Sequence, residues 1–341
     1  MRKFVGYEKG VNIGGWMSQC KYTDEHIRNF ITEKDFKKMS EWGLDHVRIP
    51  VDYNIFMTDN GDIMERGFRY VQFALDMCEK YKLNMILDLH KTMGFFFDAA
   101  HQEKGFFDSE ILQVYFYQIW DEFSRRYGKY SSRLTFELLN EVTEPEFSKK
   151  WNAIAKKAIE VIRANAPDIK IIIGSYWNIS VDALADLDMP YDENIVYTYH
   201  CYDPFLFTHQ GAYWVDLMPN DFRISYSNSV KEFRTTIKNL GLDYMQTYEE
   251  VMTENFDTTY FENRFINAVK LCEERNVPLY CGEYGVINLA NADDTLNWYK
   301  DINTAFEKFG IGRAAWCYKE VDYGLSDTHM ESVIDELVKY L

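Results

Sequence analysis

The feature that most constrains this chain is an alternation that runs its whole length. Short runs rich in apolar and β-branched residues are each followed by stretches with the apolar spacing of a helix. The runs fall at 10–13, 45–49, 84–89, 133–139, 170–173, 194–199, 277–283 and 312–316. Pro50 is read as the stop of the second. Thr32, with Asp35 in the capping-box position, opens a helix to about Trp42. Further helices are predicted over 67–81, where Val71, Leu75 and Cys78 share a face, and over 109–127, 147–165, 295–309 and 331–340, with another near Phe261. Strands separated by helices are βα units on a parallel sheet, and eight of them predict an α/β fold, a (β/α)8 TIM barrel. No linker, repeat or composition break divides the 341 residues, so residues 1–341 are read as one catalytic-size domain. One connection is anomalous. Between Tyr202 and the helix near Phe261 the chain far exceeds the about 2–6 residues a βα loop needs. Residues 203–258, with an amphipathic piece at 230–240, are expected to form a small, mainly helical inserted subdomain on the carboxyl face, walling a cleft.

A closed parallel barrel gathers the carboxyl ends of its strands on one face, where such barrels keep their chemistry. The polar and aromatic residues at those ends are Arg48, His90, Asn140, Glu141, His200, Tyr202, Glu283 and Trp316. Glu141 and Glu283 end the fourth and seventh strands, far apart in sequence but brought together by closure. Two such carboxylates point to acid/base plus nucleophile chemistry on a glycosidic bond. Singly, each residue has a plainer use. Arg48 could neutralise Asp88 or Glu137, which lie inside strands; His90, His200 and Trp316 could be core, and Tyr202 surface. His90, His200, Glu141 and Glu283 could also ligate a metal. No H-x-H or HExxH spacing supports that and an arginine beside the carboxylates opposes it, so neither metal nor cofactor is expected.

A formal charge of −17 argues against a nucleic acid or an anionic membrane as partner, while a neutral polymer is compatible with it. Aromatic residues make up 17% of the chain, which suits a large core plus a cleft for sugar rings. The six cysteines show no C-x-x-C spacing. They are read as buried thiols, with Cys281–Cys317 as a conceivable bridge. No signal peptide and no apolar run long enough to span a bilayer is present. The protein is therefore expected to stay inside the cell or to leave by a route the sequence does not show.

Taken together and in order, Arg48 after strand two, His90 after strand three, Asn140-Glu141 after strand four, His200-x-Tyr202 after strand six, Glu283 after strand seven and Trp316 after strand eight resemble glycoside hydrolase family 5, the cellulase family of clan A. The match covers nearly the whole chain and includes Ile13-Gly-Gly-Trp16 and Phe207-Thr-His-Gln210. The resemblance implies a retaining mechanism. Glu141 would be the general acid/base, its pKa raised by desolvation and by the charge of Glu283. Glu283 would be the nucleophile, with Arg48 beneath it and the Tyr202 hydroxyl beside it. Asn140 would contact the sugar 2-OH, His90 and His200 would bind hydroxyls or orient Glu141, and Trp316 would form the floor at the −1 subsite. Trp16, Phe205, Phe207, His209 and Trp214 are candidate subsite linings, and Met93 to Phe97 with His101 a candidate flank. The implied function is an endo-β-1,4-glucanase on cellulose-like or mixed-linkage β-glucan, acting as a monomer. Alternatives are a β-mannanase, an exo-β-1,3-glucanase, a non-catalytic carbohydrate-binding barrel, which would have lost one of the two Glu residues, and a barrel metallohydrolase.

Overall fold

A computed structural model describes residues 1–98, 103–242 and 253–341. Eight strands, β1 (Lys9–Asn12), β2 (His46–Asp52), β3 (Asn84–Lys91), β4 (Leu134–Glu137), β5 (Lys170–Gly174), β6 (Ile195–Cys201), β7 (Leu279–Tyr284) and β8 (Gly312–Ala315), pair in chain order, all parallel. β1 also pairs with β8, closing the barrel. The helices are α1 (Asp24–Phe30), α2 (Glu33–Glu41), α3 (Glu65–Tyr81), α4 (Glu110–Tyr127), α5 (Ser148–Asn165), α6 (Phe205–Thr208), α7 (Val230–Leu240), α8 (Thr258–Glu274), α9 (Ala292–Phe309) and α10 (Ile334–Leu337). Among the described residues no helix is long and apolar enough to cross a membrane. All six cysteines are free thiols, so no bridge joins Cys281 to Cys317.

Local chemistry explains where the elements begin and end. The Asp35 carboxylate accepts from the Thr32 backbone N–H at 2.7 Å and from its hydroxyl at 2.9 Å, completing the expected capping box of α2. α9 starts ahead of its expected position because Asn291 caps it, its side-chain oxygen accepting from the N–H groups of Asp293 and Asp294. Four expectations need correction. β2 runs through Pro50 to Asp52. The carbonyl of Arg48 accepts from Ile13 and the N–H of Asp52 donates to Met17, so Pro50, on the same side, faces past the end of β1 where no ladder bond is needed. An extra helix, α1, precedes α2, capped by the Thr23 hydroxyl. Between β5 and β6 the chain makes only a 3₁₀ run, Val181–Asp186, which follows three left-handed residues, 177–179. The closing helix is four residues long. Val333, Leu337 and Leu341 are buried at helical spacing, but Lys339 and Tyr340 donate only three residues back, so the last turn tightens.

Inside the barrel the period of two sets up layers. At the amino end Ile86, Ile172, Val196, Tyr280 and Ala314 pack together, with Phe4 and Tyr7 stacked at 4.2 Å as a plug. One step up each strand, two residues on, the inward positions are Asn12, Arg48, Asp88 and Glu137, all fully buried. The next step is the carboxyl rim. The connection after β6 is tied to α9, where the Ser225 hydroxyl and Tyr226 N–H donate to Asp294 and the Tyr226 hydroxyl donates to Asp301. Its buried Leu206, Phe207, Tyr226 and Phe233 join the main hydrophobic core.

Candidate active site

Arg48 is the hub beneath the rim. Its guanidinium donates to Glu137 at 2.7 and 3.0 Å, to Glu283 at 2.8 Å, and to the side-chain oxygens of Asn12 and Asn140 at 2.9 Å each. It also lies 3.0 Å from Asp88. The two roles weighed from sequence, neutralising internal carboxylates and serving the site, are thus the same contact set. Three buried carboxylates around one cation leave an excess of negative charge, and burial pushes the Asp88 carboxyl up to about 7. Asp88 in turn pairs with His90 Nδ1 at 2.7 Å.

On the rim, β7 carries an irregularity next to Gly282 that breaks its register with both neighbours and sets Glu283 opposite His200. The second oxygen of Glu283 accepts from the Tyr202 hydroxyl at 2.9 Å. Glu141 follows β4. His200 Nδ1 lies 2.8 Å from its Oε1, and Asn178 Nδ2 donates to its Oε2 at 2.8 Å. Burial pushes the Glu141 carboxyl up to about 6, opposed by the Asn178 donor and by Arg48. Burial, rather than the charge of Glu283, is therefore the main cause of that rise. Burial also lowers His200 to about 4, so at neutral pH it is an uncharged partner of Glu141 despite standing 3.6 Å from Glu283 as well. One carboxylate oxygen from each glutamate and one His200 nitrogen lie within 4.8 Å of one another. Among the described residues this is the one trio with metal-ligand spacing. With Arg48 and Tyr202 bonded to Glu283 and Asn178 and His200 bonded to Glu141, the carboxylate oxygens of the trio already have protein partners.

Around the pair stand the groups that can meet a sugar. Trp316 lies parallel to His90 with ring centres 5.8 Å apart, and Gly14 lets the loop after β1 run beneath it, since a Cβ there would sit 3.0 Å from the indole. His90 Nε2 faces the Gln19 amide at 3.0 Å. Asn140 Nδ2 and His200 Nε2 are buried without a protein partner, which leaves a donor and a ring nitrogen for ligand hydroxyls. Phe97 sets its ring edge-on to His90 at 5.3 Å, so the flank expected at Met93 to Phe97 is beside the site; His101 lies outside the described residues. Phe205 stacks on His209 at 3.9 Å, and His209 packs edge-on to Tyr202 at 5.1 Å, holding that ring from behind. Trp214 is 43% exposed and reaches the same cluster through Tyr323.

Two candidate linings are not linings. Trp16 is fully buried, donates its indole N–H to the Ile27 carbonyl at 2.8 Å and packs edge-on to Phe36 and Phe73; it anchors α1. Phe207 is fully buried against Tyr226. Both sit in aromatic-rich motifs where core and cleft look alike in sequence. Four contributors went unrecognised: Asn12, Gln19, Asn178 and Tyr323. Asn12 could have been found as the last inward position of β1. The others lie on loops with no periodicity to place them.

The glycosyl hydrolase family 5 model, described as "Cellulase", matches residues 7–322. The chain is 43% identical to Cellodextrinase A of Ruminococcus flavefaciens over 92% of this chain and 86% of that protein. It is 33% identical to Endoglucanase C of Acetivibrio thermocellus, over 99% of this chain and 98% of that one. Among solved structures, the clostridial cellulose synthase subunit Z from Clostridioides difficile superposes with a TM-score of 0.76 at 26% identity, covering 97% of this chain and 99% of that one.

Proposed function

This chain belongs to glycosyl hydrolase family 5 and is a glycoside hydrolase; from that premise we propose that it is a retaining endo-β-1,4-glucanase acting on cellulose-like and mixed-linkage β-glucans. The observation that carries the retaining scheme is the approach of Glu141 and Glu283 oxygens to within 4.8 Å. A retaining pair stands about 5–5.5 Å apart, whereas an inverting pair needs about 6.5–9.5 Å to admit water. Glu283, fixed by Arg48 and Tyr202, attacks the anomeric carbon as the bond to the leaving oxygen breaks. Glu141, whose pKa of about 6 keeps it protonated in mildly acidic solution, gives that oxygen its proton. In the second half Glu141 takes a proton from water, the water oxygen attacks the anomeric carbon, and Glu283 leaves. Asn140 offers its free amide N–H to the 2-OH of the sugar, and Trp316 with His90 packs against the ring. The described residues of the connection after β6, 203–242 and 253–258, are read as one wall of the cleft, with the partly exposed Trp214 at its rim.

A second reading, cleavage of short β-1,4-glucan oligomers, is favoured by the 43% likeness to a cellodextrinase. Product analysis on lichenan, barley β-glucan, carboxymethylcellulose, mannan and cellotetraose separates the two. Rapid viscosity loss on the polymers supports endo action, and turnover of cellotetraose alone supports the second. Mannan cleavage without action on any glucan would overturn both. An α-configured first product, seen by NMR before mutarotation, would overturn the double displacement.

A further inference from the structure

We propose that Asn178 is a positioning residue for proton transfer, holding Glu141 at the angle from which it serves the leaving oxygen and then the incoming water; this rests on Glu141 being the acid/base. Asn178 is absent from the strand-end set because it lies on the loop after β5. Yet its amide donates directly to Glu141 Oε2, and among the described residues it is the one side chain bonded there, as His200 is at Oε1. The loop is built to deliver it. Trp177, Asn178 and Ile179 are three successive non-glycine residues in the left-handed region, at φ of 53°, 53° and 55°. For the β-branched Ile179 that conformation is an outlier that only surrounding contacts can sustain.

Those contacts all lead to the acid/base. The Trp177 and Asn178 N–H groups donate to the carbonyls of Thr143 and Val142, on the segment that carries Glu141. The Ile179 carbonyl accepts from the N–H of His200, at 3.0 Å. The Ile179 side chain is fully buried in the space that a Cβ on Gly174 would occupy at 2.4 Å, so β5 must end in glycine for the loop to close. Strained backbone, a glycine and three backbone bonds thus converge on one amide.

An amide suits a carboxyl that changes role. Its N–H₂ end donates to the ionised form; turned over, its oxygen accepts from the protonated form. One side chain can hold Glu141 through both halves of the reaction. The other titratable or charged groups facing Glu141 are Arg48 from β2, Asp88 and His90 from β3, His200 and Tyr202 from β6 and its exit, Glu283 from β7, and Tyr323 from the loop after β8.

The test uses Asn178→Gly, which keeps the left-handed backbone, and Asn178→Asp, which keeps the shape and adds a charge. The measurement is kcat/KM against pH on cellotetraose, whose leaving group needs a proton, and on 2,4-dinitrophenyl β-cellobioside, whose leaving group does not. For Asn178→Gly, kcat/KM on cellotetraose should fall about 10-fold, with the dinitrophenyl substrate changed less than about 2-fold. The alkaline limb should move up by about one pH unit, since the donor to the ionised form is gone, and further in Asn178→Asp. Equal losses on both substrates, or an alkaline limb that stays put in both variants, would overturn the assignment. Glu141→Ala on the same substrates separates the two levels. If it too fails to discriminate between leaving groups, the acid/base role itself is wrong; if it discriminates and Asn178→Gly does not, only the role of Asn178 falls.

Discussion

Replacing Glu141 with Gln should make the protein more stable at neutral pH while crippling it as a catalyst. Burial raises this carboxyl from its ordinary 4.5 to about 6. The folded protein therefore binds the proton more tightly than the unfolded chain does. Below about pH 4.5 both states are protonated and no penalty exists. Between there and about 6 the unfolded chain gives up its proton first, so stability falls as pH rises, and above about 6 the full penalty stands. From 4.5 to about 6, at about 1.4 kcal/mol per pH unit, that penalty is about 2 kcal/mol. Gln does not titrate and fits the same contacts, its oxygen accepting from Asn178 and its N–H₂ donating to the uncharged Nδ1 of His200. Urea unfolding of both proteins at intervals from pH 4 to pH 8 gives the difference directly. The variant should gain about 2 kcal/mol on the wild type across that range, nearly all of it between pH 4.5 and 6.5. A difference that stays flat to within about 0.5 kcal/mol, or that moves the other way, would refute the assignment of the raised pKa to burial.

Arg48→Met should destabilise the fold by about 3–5 kcal/mol in chemical denaturation and abolish glucan hydrolysis, because it strands buried Asp88, Glu137 and Glu283 without their cation. Trp16→Ala should cost about 3–5 kcal/mol of stability and leave KM of the folded protein unchanged, as expected of a core residue; a raised KM would return it to the cleft. Trp316→Ala should lower kcat/KM on cellotetraose about 10- to 100-fold in the folded protein, through the loss of a ring that packs on sugar C–H groups. Exhaustive dialysis against EDTA should leave activity intact and added zinc should not raise it; loss with EDTA and recovery with zinc would reassign Glu141, His200 and Glu283 as metal ligands.

The barrel was legible because its signal is redundant: eight repetitions of one unit, each with its own apolar run and often its own cap. A slip at one strand end, such as the stop placed at Pro50, leaves the count unchanged. The residues at the strand ends were legible for the same reason, since register along a strand fixes which side chains reach the rim. What escaped lies where neither period operates. Asn178 is aimed by three left-handed residues, and backbone handedness leaves no mark on a Trp-Asn-Ile tripeptide. Trp16 and Phe207 misled because a large aromatic ring suits a core and a sugar cleft equally well. Only the surrounding contacts, Ile27, Phe36 and Phe73 for Trp16 and Tyr226 for Phe207, decide between them.

Two glutamates within 4.8 Å can divide the labour of acid and nucleophile only if their surroundings differ, and the difference here lies in the charge of their partners. Glu283 is bonded to a guanidinium and a hydroxyl. Glu141 is bonded to an amide and to a histidine that burial keeps uncharged; neither bonded partner is a cation. The assignment depends in turn on the layer below. If Asp88, Glu137 and Glu283 were all ionised, one guanidinium would be shared three ways. With Asp88 raised to about 7 and holding a proton in mildly acidic solution, the Arg48 charge is left to Glu137 and Glu283. Arg48 reaches both because it sits one inward step above His46 on β2, level with Asn12 on β1 and Ile86 on β3, with Asp88 one step higher. The chemistry at the rim is therefore set by a register two residues deeper in the barrel, and a substitution in that layer should disturb the pH profile before it disturbs substrate binding.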